Sequence, residues 1–269
     1  MPLFSQNRRL DRINATAELF DKYPHLQENA RTFRAKPLVD VDPKCFLYVQ
    51  QREFAATTPA DDCISVIGSD DATTCHLVVL RHTGSGAVCL AHCDGSSTWS
   101  EVPLLVQAVT SLSSVSNDGR LELHLVGGFN DESKTSHKLS HNILAAFQKQ
   151  KEDIHLETCC ITEMNDIVVD GTHRPVVYGI GVNVKTGDVF PSSFIHKGPA
   201  EQLRSARTFT GGQYLSTSPM AEPPHFVQHM KSTIQFLLEH PDSDELFPGA
   251  QPQLYHRTEM GDWERVVKS

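Results

Sequence analysis

Apolar positions fall along this chain in short blocks, each too brief to span a membrane, and most are bounded by Gly, Pro, Asp or Ser. Residues 16–35 carry Ala17, Phe20, Leu26, Ala30 and Phe33 at near-helical spacing with charges between them, and Pro24 breaks the stretch. Helices are therefore expected to open the chain. Strand-like runs follow at 45–50, 63–67, 75–81 and 87–92, then a helix from about 101 to 113. Residues 121–126 read as a strand ending at Gly127-Gly128, and Leu139, Ile143, Ala146 and Phe147 mark a helix that Lys149 and Lys151 finish. Runs at 154–162, 176–184 and 189–194 read as strands, the last two joined in a hairpin at Lys185-Thr-Gly187. Residues 199–209 and 224–240 read as helices. In the second, Phe226, Met230, Ile234 and Leu237 form an apolar stripe that reads as core, and Pro241 stops it. Antiparallel strand pairs flanked by helices predict an α+β fold, a layered sandwich of mainly antiparallel sheets covered by helices. No low-complexity linker divides the 269 residues, so a single domain over 1–269 is expected.

Composition narrows the partners. A hydrophobic content of 39% with 21% charged residues is ordinary for a soluble globular protein. A net charge of −9 without a basic cluster argues against nucleic acid and suits a substrate with a protonated amino group. The start, Met1-Pro-Leu-Phe-Ser-Gln-Asn-Arg-Arg9, lacks the apolar core of a secretory signal, so the cytoplasm, with the nucleus also open to it, is the expected location; a monomer is a separate expectation. Seven scattered cysteines, at 45, 63, 75, 89, 93, 159 and 160, make an odd number and read as free thiols in a reducing compartment.

One of those thiols is placed for chemistry. The polar run Gly68-Ser-Asp-Asp-Ala-Thr-Thr74 ends at Cys75, which opens the apolar stretch His76-Leu-Val-Val-Leu-Arg-His82. After Thr83-Gly-Ser-Gly86 a second apolar run delivers His92, so a hairpin brings a Cys and a His side by side. A free thiol with a pKa near about 8.5 is mostly protonated at neutral pH, and an adjacent imidazole can take its proton and later protonate a departing amine. An amide is the natural substrate of such a pair. Ser69 ends the preceding strand and is a candidate to orient the His ring.

Each of these residues has a bland reading. A buried Cys in an apolar strand is more often inert core. His76 points to the face opposite Cys75 if the segment is a strand, and His82 at the hairpin mouth suits a solvated or turn-capping role. A zinc site from Cys89, Cys93 and a nearby His is the rival reading, but along a strand those two thiols face one way and His92 the other.

The segments Leu47-Tyr-Val-Gln-Gln-Arg-Glu53, Gly68-Ser-Asp-Asp-Ala-Thr-Thr-Cys-His76, Leu90-Ala-His-Cys-Asp-Gly95, His124-Leu-Val-Gly-Gly-Phe129 and Ala221-Glu-Pro-Pro-His-Phe226 resemble the protein N-terminal asparagine amidohydrolases of animals over the whole chain. More distantly, the Cys-hairpin-His spacing is similar to that of bacterial chemotaxis glutamine deamidases and deamidating toxins. The resemblance implies two sheets covered by helices, with Cys75 as nucleophile. It also implies hydrolysis of the side-chain amide of Asn at position one of a protein, giving aspartate and ammonia and feeding the N-degron route to ubiquitin-dependent degradation. Partners are then proteins or peptides with a free N-terminal Asn, and no metal or organic cofactor is expected. Backbone amides near Thr74 and Cys75 are the candidate oxyanion donors. Binding the substrate's α-ammonium calls for carboxylates or carbonyls. Asp70, Asp71, Asp94 and Glu163 are the candidates, and Pro2, the first residue after Met removal, is placed near the site or serves only as a stable terminus.

One departure stands out. In the family a further stretch of several dozen residues separates the counterparts of Arg207-Thr-Phe-Thr-Gly-Gly212 and Leu215-Ser-Thr-Ser-Pro219, which here are joined almost directly at Gln213-Tyr214. A shortened, catalytically silent form that misfolds or only binds chains beginning with Asn is the alternative reading.

Overall fold

In the computed structural model, which describes residues 3–113, 118–206, 216, 218–246 and 248–267, a short strand pair precedes the first helix, β1 (Leu3–Ser5) and β2 (Arg8–Arg9). The opening is thus not helical as expected, because fully buried Leu3 places β1 beside a central strand before the periodic segment begins. Helices α1 (Thr16–Lys22) and α2 (Pro24–Arg34) follow, and Pro24 starts the second of them, where its missing N–H costs nothing. Next come β3 (Phe46–Tyr48), β4 (Phe54–Thr57), β5 (Val66–Ser69), β6 (His76–His82), β7 (Val88–Cys93) and α3 (Thr98–Leu112). Then β8 (Leu121–Gly127), α4 (Thr135–Gln148), β9 (Ile154–Ile161) and the hairpin β10 (Asp166–Val169) and β11 (Thr172–Pro175) complete the central part. The strands β12 (Ile180–Asn183) and β13 (Val189–Pro191) form the expected hairpin, and α5 (Glu201–Ala206), α6 (Phe226–Glu239), α7 (Ser243–Leu246) and a last hairpin, β14 (Leu254–Arg257) and β15 (Trp263–Val266), follow. No helix of the described residues is long and apolar enough to cross a membrane.

Two sheets carry the architecture. One has seven strands in the order β2-β1-β9-β8-β6-β7-β4, the other four in the order β13-β12-β5-β3. Pairing is mostly antiparallel, with parallel contacts of β9 to β1 and β8, and of β3 to β5. The layering can be read from β6 and β7. His92 of β7 meets Ser69 of β5, so the second sheet covers that face; His76 of β6, on the other face, meets Ser140 of α4, so helices cover that one. Helix, sheet and sheet therefore stack in three layers, the α+β sandwich that the strand and helix pattern predicts.

The strand expected at 176–184 begins only at Ile180. Upstream, Asn165 takes the place of a neighbouring strand: its amide nitrogen donates to Val177 O at 3.0 Å and its carbonyl oxygen accepts from Val177 N at 2.9 Å. The helix expected at 199–209 covers Glu201–Ala206, and its later part lies outside the described residues. The stripe on α6 is not core. Ile234 is 40% exposed, Phe226, Met230 and Leu237 are half-buried, and Thr233 is the buried residue of that helix.

Candidate active site

Cys75 stands one residue before β6, and the β6–β7 register sets Leu77 opposite His92 and His76 opposite Cys93. Side chains alternate along a strand, so Cys75 and Leu77 share a face and Cys75 becomes the diagonal neighbour of His92. The register thus sets the two residues expected to pair on one face of the sheet. Its backbone is held from the far side by the Gly127-Gly128 pair ending β8: Gly128 N donates to Cys75 O at 3.0 Å. Gly127 has a φ of +128°, and a Cβ there would lie 2.5 Å from Cys75 O, so only glycine permits this approach.

A proton chain fixes the His92 ring. The Ser69 hydroxyl donates to Val49 O at 2.5 Å, and its oxygen lies 2.8 Å from His92 Nδ1. With the Ser69 proton committed to a carbonyl, Nδ1 must carry the imidazole proton and donate it to Ser69 Oγ. The ring is then the tautomer with a bare Nε2. That atom is buried and has no hydrogen-bond partner among the described residues. Burial pushes the imidazole down to about 4, against the pull of Asp71 and Asp94, so His92 is neutral at physiological pH. Burial, with Asp94 beside it, pushes the Cys75 thiol well above its ordinary range. The resting pair is therefore a neutral thiol and a neutral imidazole with its acceptor lone pair free, rather than a thiolate–imidazolium pair.

Both residues line a pocket of about 260 Å³, as do Thr74, Asp70, Asp71 and Asp94. The carboxylates are differently committed. Asp70 is an internal strut: Oδ1 accepts from Tyr48 OH and Lys197 Nζ, each at 2.5 Å, and Oδ2 accepts from Phe194 N at 2.6 Å. Burial still pushes its carboxyl up. Asp71, left-handed at φ 57°, splits its oxygens between His225 Nε2 at 2.7 Å and Lys197 Nζ at 3.3 Å. Asp94 Oδ2 accepts from Arg52 Nε at 2.6 Å and Gln51 Nε2 at 3.0 Å, while Oδ1 accepts from Ser96 N and Oγ. Burial alone would raise Asp94, yet these bonds hold it well below the usual carboxylate range. Glu163 is not brought to the pocket. It faces α1, accepting from Thr16 Oγ1 at 2.9 Å, because Thr162 turns the chain away after β9. Pro2 lies outside the described residues. Cys89 and Cys93 are both buried in the core, and among the described residues no group of three His, Cys, Asp or Glu is arranged to hold a metal.

The profile of the protein N-terminal asparagine amidohydrolase family matches residues 36–215 and 212–265. A protein N-terminal asparagine amidohydrolase from Homo sapiens is 45% identical over 305 aligned positions, covering 99% of this chain and 98% of the relative. The chain belongs to this family. Its counterpart from Mus musculus is also 45% identical with the same coverage, and one from Arabidopsis thaliana is 26% identical over 91% of this chain and 88% of the relative. The alignment to the human amidohydrolase is longer than the chain's 269 residues, so that relative has residues without a counterpart here. The two parts of the family match meet at 212–215, the join at Gln213-Tyr214 noted in the sequence, which lies outside the described residues.

Several pocket residues escaped the sequence reading. Lys197, Tyr48, Arg52 and Glu222 all line the cavity, and Phe226 and Met230, read as core from their helical spacing, line it too. The amidohydrolase motifs did contain a signal for four of them, since Tyr48, Arg52, Glu222 and Phe226 sit inside the quoted segments. Lys197 gave none, because an isolated Lys in a Gly/Pro loop looks solvated, yet its side chain is 7% exposed.

Proposed function

We propose that this chain hydrolyses the side-chain amide of an N-terminal asparagine in proteins, through Cys75 as nucleophile and His92 as general base and acid. The bare, buried Nε2 of His92, a residue that lines the same pocket as the half-buried Cys75, carries this reading. As the Cys75 sulfur attacks the carboxamide carbon, its proton passes to His92 Nε2 and a C–S bond forms. When the tetrahedral adduct collapses, the C–N bond breaks and the same proton goes to the nitrogen, releasing ammonia. Water then attacks the thioester and gives a proton to Nε2; the C–S bond breaks, the sulfur takes that proton back, and an N-terminal aspartate leaves. Backbone N–H groups at Thr74 and Cys75 stabilise the oxyanion. Ser69 keeps Nδ1 protonated throughout, so Nε2 is the atom that exchanges protons.

The family membership supports the substrate, and the pocket supports its size: about 260 Å³ holds one small side chain and an amino terminus, with the rest of the chain outside. The product begins with aspartate, a destabilising residue once arginylated, so the enzyme acts in the cytoplasm or nucleus upstream of ubiquitin-dependent degradation. Mass spectrometry of peptides beginning with Asn, Gln or acetylated Asn tests this. The expected result is conversion of the free Asn peptide and neither control, lost in Cys75→Ala. A folded protein that converts none of them would return the chain to the silent, shortened reading.

A further inference from the structure

The pocket contains four carboxylates, and a count of their oxygens separates one from the rest. Both oxygens of Asp70, Asp71 and Asp94 accept hydrogen bonds, and each of these residues pairs with a cation, Lys197 for the first two and Arg52 for the third. Glu222 is the exception. Ser216 Oγ donates to its Oε1 at 2.6 Å and Thr73 Oγ1 donates to the same oxygen at 3.4 Å, while Oε2 receives no hydrogen bond and the residue forms no ion pair among the described residues. Thr73 stands two residues before Cys75, so the tether ties this carboxylate to the loop that carries the nucleophile. Glu222 is half-buried, and partial burial, with Asp71 nearby, raises its carboxyl to about 6 against the pull of Ser216, Thr73 and His225. A second group in the same cavity is also left unmatched, the Nε2 of His92. Two lone pairs on residues lining one small pocket, one suited to a proton in transit and one to a permanent cation, suit a ligand with an amide and an ammonium a few bonds apart.

We infer that Glu222 binds the α-ammonium of the substrate through Oε2 and is the residue that restricts the enzyme to a free N-terminal asparagine. The inference rests on the amidohydrolase reading and names the group that makes it specific. It moves the ammonium site away from Asp70, Asp71, Asp94 and Glu163, whose oxygens are engaged elsewhere or lie outside the pocket. An ammonium at Oε2 forms a charge-assisted hydrogen bond in a partly dry cavity, a contact whose removal typically weakens binding roughly tenfold to a hundredfold.

The test separates binding from chemistry by using the Cys75→Ala protein. Calorimetry compares a short peptide beginning with Asn with its twin in which the first residue is a 3-carbamoylpropanoyl group, identical but for the missing α-amine. The expected result is about tenfold to hundredfold tighter binding of the amino peptide, a preference abolished by adding Glu222→Gln, with the affinity for the twin unchanged and retained in part by Glu222→Asp. Equal binding of the two peptides to Cys75→Ala, or a preference that survives Glu222→Gln, overturns the assignment. Glu222→Ala serves the same comparison if the amide variant lacks the parent's cooperative unfolding transition. The outcomes stay distinct: an amine preference that needs Glu222, in a protein that never hydrolyses the peptide, sinks the amidohydrolase reading alone. Hydrolysis that keeps its amine preference in Glu222→Gln sinks this inference alone.

Discussion

His92 Nδ1 and Ser69 Oγ lie 2.8 Å apart across the interface of two sheets, and because the Ser69 proton is spent on Val49 O, the contact can run in one direction only. A single hydroxyl thereby decides which nitrogen of His92 is basic.

Replacing Ser69 by Ala removes that decision. Burial at this position leaves no water to substitute, so Nδ1 loses its acceptor and the ring samples the wrong tautomer. We expect kcat to fall by about one to two orders of magnitude with KM nearly unchanged. A KM effect of the same size would mean that Ser69 shapes the pocket rather than the base.

Gly127→Ala strikes Cys75 from its far side. A Cβ at φ +128° strains the backbone by roughly 1–3 kcal/mol and meets Cys75 O, so the strand end must shift. Loss of activity should exceed what the fall in thermal midpoint explains, and unaltered kinetics in the variant would show that the site tolerates the shift.

Lys197 and Asp70 form a buried pair, 7% and 3% exposed, that locks Tyr48 and the loop before Cys75. Lys197→Met strands the carboxylate, and we expect a loss of about 3–5 kcal/mol in denaturant unfolding. Adding Asp70→Asn should recover part of that loss; a double variant as unstable as the sum of the singles would say the two side chains are not coupled.

Much of this was legible in the chain. The hairpin with Cys75 and His92 followed from two apolar runs around Thr83-Gly-Ser-Gly86, and the α4 and β8 segments were clear from their periods. Of the two roles open to His82, solvated or turn-capping, it takes the second, accepting at Nδ1 from Ser85 N at 3.1 Å. What was hidden depends on pairings distant in sequence. Glu163 and Glu222 look alike as isolated acids, and only the turn at Thr162 and the tether from Thr73 send one outward and the other inward. The stripe on α6 has helical spacing, but spacing cannot tell core from pocket wall, and Phe226 and Met230 belong to the wall. The strands β1 and β4 are too short to show a period of their own and owe their structure to β9 and β7.

Acid should unfold the protein through its buried imidazoles. Burial holds His76, which contacts Ser140 and lies on the face away from the pocket, at about 4 against an ordinary 6.5. The unfolded chain therefore binds a proton that the folded one refuses between about pH 6.5 and 4, and stability falls as pH falls through that window, by roughly 1 kcal/mol per pH unit for this residue. Unfolding followed from pH 7 to 4.5 should show a shallower slope in His76→Gln than in the parent. Equal slopes would mean that His76 is protonated in the folded state.

The most direct test of the account is to trap the acyl enzyme. An Asn-initiated peptide is mixed with the protein, quenched in acid within a turnover, and the digest is analysed by mass spectrometry. The account predicts that the fragment containing Cys75 gains the substrate mass less ammonia, and that the adduct decays to free aspartyl peptide when the quench is delayed. Turnover that leaves Cys75 unmodified at every time, or an adduct on another residue, would contradict it.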